Sequence, residues 1–198
     1  MSRKLLAGLT PLLVISALVL PAAAQALPHW YKKNVQLTAA HTTVATGGSL
    51  TFTSVLATVK CKVSDAEEIW NPVGGGPGED LVTGFTTSGC KIKVGSSACP
   101  KVGSTPTIVA NGLNWPSFLV NTPPIRDEIV KIRLKFGCSA GAVPDEFEGT
   151  LTPAVGNGKL VFGGPGGGAL HDALLNTMEV SGNDTMVALP GKVTAKDP

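Results

Sequence analysis

Apolar and polar positions alternate with a period of two along much of the chain. In Ala57–Val63, Ala57, Val59, Cys61 and Val63 share one face, while Thr58, Lys60 and Lys62 share the other. Val130–Phe136 repeats the pattern, setting Lys131, Arg133 and Lys135 against Val130, Ile132, Leu134 and Phe136. Both segments read as half-buried antiparallel strands whose basic residues form a solvated face. Thr- and Val-rich runs predict further strands at Asn34–Thr38, Ser49–Ser54, Leu81–Thr86, Lys91–Val94, Thr107–Ala110, Phe118–Val120, Phe147–Thr152, Lys159–Phe162, Thr177–Ser181 and Thr185–Leu189. Turn signals separate them: Thr46-Gly-Gly48, Asn71–Gly78, Asn111-Gly112, Asn157-Gly158 and Gly163–Gly168. Asn157-Gly158, between two strand runs, predicts a two-residue hairpin turn. Helical signals are confined to Ala169–Asn176 and to Ser64–Trp70, where Asp65 could cap a turn holding Glu67 and Glu68. The expectation is an all-β domain of ten to twelve short strands, built as a two-sheet sandwich or an irregular closed barrel.

The N-terminus follows different rules. Met1–Lys4 is positively charged, Leu5–Leu20 is an apolar run, and Ala24-Gln25-Ala26 fits a small-residue cleavage site. Residues 1–26 read as a signal peptide and 27–198 as a single secreted domain. No later run is long and apolar enough to predict membrane insertion after cleavage. Arg3 and Lys4 belong to the leader, so the remainder balances 14 basic against 14 acidic residues. That balance argues against a nucleic-acid partner, which needs a basic footprint.

Export also governs the cysteines. Cys61, Cys90, Cys99 and Cys138 are an even set for an oxidising compartment, and their wide spacing lacks the close pairs of structural zinc sites. Two disulfides are expected. Of three possible connectivities, Cys90–Cys99 would close a short Gly/Ser-containing excursion, and Cys61–Cys138 would join the two clearest strands.

Candidate chemistry is sparse. The glycine loops lack a following G-K-[S/T], and Glu79-Asp80 beside the first would repel phosphate. There is no G-x-S-x-G elbow, and His171-Asp172 are adjacent, so that pair alone forms no orienting bond. Asp65, Glu67, Glu68, Glu79 and Asp80 bracket the first glycine loop without a calcium-loop pattern, and read as a solvated acidic rim. No metal or other cofactor is expected. Glu67 and Glu68 could meet Glu146 and Glu148 across a cleft as acid and base. Trp30, Trp70 and Trp115 are core candidates, and of these Trp70 and Trp115 are also candidate ligand contacts, since an indole can stack on a sugar face. Pro116 restricts Trp115 and favours one packed position, with the indole anchoring a turn to the core.

Asn71-Pro-Val-Gly-Gly-Gly, Gly112-Leu-Asn-Trp-Pro-Ser117, Ile132–Cys138 and Glu148-Gly-Thr-Leu-Thr-Pro153 together resemble a family of small secreted Gly/Thr-rich β proteins of soil actinobacteria. The resemblance implies export and a β-rich, disulfide-bearing domain, and it implies no particular activity. From the residues themselves, the leading expectation is a non-catalytic extracellular or cell-envelope domain that binds a surface glycan or an exported protein. The alternative is a secreted carbohydrate-active hydrolase using paired carboxylates.

Overall fold

A computed structural model describes residues 26–139, 144–187 and 192–197. The leader up to Gln25 lies outside the described residues, as do Ala188 and Leu189 of the last predicted strand. Among the described residues fourteen strands run in chain order: β1 His29–Lys32, β2 Val35–Gln36, β3 Thr42–Ser54, β4 Thr58–Trp70, β5 Glu79–Val94, β6 Thr107–Ala110, β7 Trp115–Val120, β8 Arg126–Gly137, β9 Asp145–Leu151, β10 Ala154–Gly156, β11 Lys159–Phe162, β12 Gly168–His171, β13 Thr177–Val187 and β14 Val193–Lys196. The all-β expectation holds, and of its two architectures the chain adopts the closed barrel. Among the described residues no helix is long and apolar enough to cross a membrane.

Eight antiparallel strands close the barrel in the order β3-β4-β5-β7-β8-β9-β12-β13, with β13 pairing back onto β3. The β10–β11 hairpin pairs with β8 through Ala154 and with β13 through β11, and β6 pairs along the far half of β8. Asn157 and Gly158, at φ 51° and 72°, form the predicted hairpin turn, with Gly156 opposite Lys159. A separate small sheet, β14-β1-β2, carries Trp30 fully buried. Asn71 fastens that sheet to the barrel: its Oδ1 accepts from Trp30 N at 2.8 Å, and its Nδ2 donates to Trp30 O and Leu37 O.

Three local expectations change. Thr46-Gly-Gly48 is not a turn but the middle of β3, at the closing seam. A Cβ on Gly48 would collide with the Asn183 carbonyl, and one on Gly182 with the Ser49 carbonyl, so the two strands approach closely only because both positions lack a side chain. Ser64–Trp70 does not curl; it continues β4, and pairing with β3 on one side and β5 on the other holds it extended. Ala169–Asn176 enters β12 and then a turn in which the Asp172 carboxylate accepts from Leu174 N and Asn176 N.

The disulfide pairing is also corrected. Cys61 bonds Cys90, with Cα atoms 4.1 Å apart, and Cys99 bonds Cys138, at 5.1 Å. The reason is that β5 runs unbroken from Glu79 to Val94, which carries Cys90 alongside β4 instead of into a short loop. β4 and β8 are then separated by β5 and β7, beyond the reach of a Cys61–Cys138 bridge. Loop-closure entropy gives each bridge about 3.5–4 kcal/mol at sequence separations of 29 and 39. Non-reducing peptide mapping should therefore link Cys61 to Cys90 and Cys99 to Cys138, with no thiol titrating before reduction. A Cys61–Cys138 peptide would contradict the strand order.

Candidate functional site

The inward face of β4 starts apolar, with Val59, Cys61 and Val63, and then turns acidic at Asp65 and Glu67 before Ile69. Neighbouring strands do the same at this level. β5 turns in Asp80, β7 Ser117, β8 Asp127, β13 Asp184 and β3 Thr46, all at most 8% exposed. Five carboxyl groups and two hydroxyls thus form a polar belt inside an otherwise apolar barrel. Two hydroxyls stitch it together. Thr46 Oγ1 lies 3.2 Å from Asp65 Oδ2 and 3.1 Å from Asp184 Oδ2. Ser117 Oγ bonds Asp80 Oδ1 and lies 2.6 Å from Asp127 Oδ1.

Burial dominates the electrostatics, because a carboxylate loses its hydration inside the barrel. It pushes Asp65 from 3.8 to about 9, helped by hydrogen bonding to and the charge of Asp184 and opposed by Thr46. Burial also raises Glu67 well above the usual carboxyl range, followed by repulsion from Asp80 and then Asp127. Asp80 rises to about 6, held down by hydrogen bonds from Ser117 and Asp127. Asp127 is raised well above its ordinary value, by burial and then by the Asp80 charge. At neutral pH Asp80 is ionised while Asp65 holds its proton, and burial favours the protonated form of Glu67 and Asp127. Neighbouring carboxyls in opposite protonation states are what acid–base chemistry requires.

Asp65 and Glu67 face a cavity of about 30 Å³ with apolar walls that include Phe52, Phe85 and Phe162. Asp65 Oδ1, Glu67 Oε2 and Trp115 Nε1 are buried without a hydrogen-bond partner in the protein. Trp115 is shared: it lines this cavity and also a surface cleft of about 720 Å³. Across the cleft runs a cross-strand row, Arg133–Glu148–His171, with Arg133 Nε 3.2 Å from Glu148 Oε2. The backbone is unusual here. Asn114, Lys131 and Leu175 line the cleft at φ 73°, 58° and 62°. The other non-glycine residues of positive φ among those described, Lys33, Asn34 and Asn157, sit in two-residue hairpin turns. Lys131 occupies a bulge between Ile129 and Ile132, which breaks the alternation of β8 and aims its side chain outward. Strained backbone gathered around one concavity marks it for function.

The sequence-predicted residues disperse. Glu67 is inside the barrel, while Glu68 lies on the surface, 3.0 Å from His41. Glu146 accepts from Asn111 Nδ2 at 2.8 Å, and Glu148 pairs with Arg133. Glu67 and Glu68 therefore do not meet Glu146 and Glu148 in one pocket; Glu67 meets Asp80 and Asp65 instead. Asp65, Glu67 and Asp80 are not a solvated rim, because strand pairing carries them onto the inner face. Among the described residues no three His, Cys, Asp or Glu side chains converge as metal ligands. Trp70 is half-buried and stacked on His41, ring centroids 4.2 Å apart. Trp115 is 3% exposed and is the first residue of β7, not part of a turn. Sequence reasoning missed Asp127, Asp184, Thr46 and Ser117 as site residues. The signal existed for two acids: extending the alternation from Val63 makes Asp65 and Glu67 inward.

Comparisons of the chain with protein-family models, with curated proteins and with solved structures found no match in any of the three.

Proposed function

We propose that the barrel is a hydrolase working with paired carboxylates, and that its substrate is a glycan admitted from the cleft past Trp115. One observation carries this reading: Glu67, whose proton burial and the charge of Asp80 hold, and Asp80, whose carboxyl titrates at about 6, are near neighbours in a belt that borders a cavity sharing Trp115 with the surface cleft. Once displacement of Trp115 opens the cavity to a glycosidic bond, Glu67 donates its proton to the departing sugar oxygen as the C–O bond breaks. Asp80 takes a proton from the water that adds to the sugar carbon. Ser117 and Asp127 position Asp80 and hold its pKa near the operating range. The polar rim of the cleft, Asn114, Thr150, Glu148 and His171, offers hydroxyl-binding groups.

The test is turnover of a glycoside panel and of envelope polysaccharide by the mature protein between pH 4 and 9. Glu67→Gln and Asp80→Asn should each lower the rate ~10²–10⁴-fold, the usual weight of a general acid or base. Glu146→Gln should leave it unchanged. If no glycan is turned over, or if both interior variants keep the full rate, the catalytic reading fails and the belt is structural.

A further inference from the structure

Outside the barrel, on the strands that carry the acidic belt, a second set of side chains forms a row. Trp70 on β4 pairs with Glu79 on β5, Glu79 with Phe118 on β7, and Phe118 with Glu128 on β8. Asp80, Ser117 and Asp127 point inward, so their neighbours in sequence point out. The four are half-buried, neither sealed in the wall nor free in solvent. Trp70, Glu79 and Phe118 share a concavity of about 310 Å³ with Pro77 and Pro116. The Trp70 ring is held by a neighbour: His41 stacks on it at an interplanar angle of 10°, and Glu68 holds the imidazole at 3.0 Å. Pro77 and Pro116 stiffen the margins.

We propose that this face binds an extended β-1,4-linked amino-sugar chain. Three features select that ligand. Trp70 and Phe118 stand two strand spacings apart, about 10 Å, which matches the distance between alternate rings of an extended β-1,4-linked chain, so each aromatic can carry one ring. Glu79 lies between them, where it accepts hydrogen bonds from the intervening sugar. The charge completes the selection: Glu68, Glu79 and Glu128 crowd one face, and a sugar amine in its ammonium form relieves their repulsion while stacking on Trp70. A neutral glycan gains the stacking but not the charge term, and an anionic one is repelled. Asp80 and Ser117 of the belt also line this concavity, but the stacking and charged side chains of the platform, Trp70, Phe118, Glu79 and Glu128, are not those of the proposed acid–base pair.

The experiment is calorimetric titration of the mature protein with glucosamine tetramer, cellotetraose and N-acetylglucosamine tetramer at pH 6, with thermal melts as a folding check. Glucosamine tetramer should bind, and the two uncharged tetramers at least ~10-fold more weakly. Trp70→Ala and Phe118→Ala should each weaken binding by ~10-fold or more. Should either variant fail to fold, Phe118→Leu and Glu79→Gln remain: the first should weaken all ligands, and the second should narrow the gap between charged and uncharged tetramers. Glu67→Gln should keep the platform's affinity even where it abolishes turnover, which separates the two readings. Equal affinity for all three tetramers overturns the amino-sugar assignment. So does glucosamine binding that is indifferent to Trp70→Ala and Phe118→Ala, or the absence of any binding.

Discussion

Stability should fall as the pH rises from 5 to 9. Every resolved shift in the belt is upward: Asp65 to about 9, Asp80 to about 6, and Glu67 and Asp127 well above their ordinary values. A carboxyl whose folded pKa is raised binds its proton more tightly in the folded state than in the unfolded one. Its contribution is therefore most favourable below the unfolded value near 4 and is lost as pH climbs towards the folded value. Each proton held only by the folded state gives a slope of about 1.4 kcal/mol per pH unit. The slope should be steepest between pH 4 and 6, where Asp80 adds to Asp65, Glu67 and Asp127, and shallower above 6. At the acid end the trend reverses. Asp172, lowered by its hydrogen bonds from Asn176 and Leu174, stabilises the fold above its ordinary pKa and loses that effect as pH drops. The stability maximum therefore lies below pH 4, under the range of steepest slope. Urea unfolding at half-unit pH intervals would measure it, and Glu67→Gln, which fixes a neutral side chain, should flatten the curve and raise stability at pH 9. A flat or rising curve between pH 5 and 9 would mean that the belt is hydrated and ionised.

The same belt explains which parts of the structure could be read from the sequence. Where the inner face is apolar, alternation suffices: Val59, Cys61 and Val63, and Ile132, Leu134 and Phe136, are all buried as predicted. The ends of β6 and β11 fall where Thr107–Ala110 and Lys159–Phe162 place them. At Asp65 the alternation continues, but its inner residue becomes a carboxylate, and the segment then resembles a capped turn. What makes burial tolerable there is the Thr46 hydroxyl on β3 and Asp184 on β13, 119 residues further along the chain. No local pattern reports such partners. Likewise the bridge from Cys61 to Cys90 depends on β5 being continuous, and Thr46-Gly-Gly48 looks like a turn because its glycines serve a contact with Gly182 and Asn183 at the barrel seam.

Trp115→Ala should be the most damaging single substitution outside the disulfides. The indole is 3% exposed, lies 5.8 Å from the Phe85 ring centroid, and lines both the surface cleft and the interior cavity. Removing it costs the burial of a large aromatic and leaves a void that β7, paired on both sides, cannot collapse to fill; such truncations cost ~3–5 kcal/mol. For a domain of this size that corresponds to a melting temperature lower by roughly 6–20 °C. The void also joins the cleft to Asp65 and Glu67, so water gains access to carboxyls that burial had kept neutral. The pH slope of stability should shrink in the same variant. Trp115→Phe separates the two roles of the side chain. It keeps most of the ring volume and removes an indole N–H that has no partner in the protein, so it should cost far less than the alanine variant. In the wild type, iodide should quench Trp115 emission poorly, and in Trp115→Phe the quenchable fraction should rise, because shielded emission is lost while that of half-buried Trp70 remains. Trp115→Ala melting like the wild type would show that the indole does not anchor the barrel and is free to meet a ligand in the cleft.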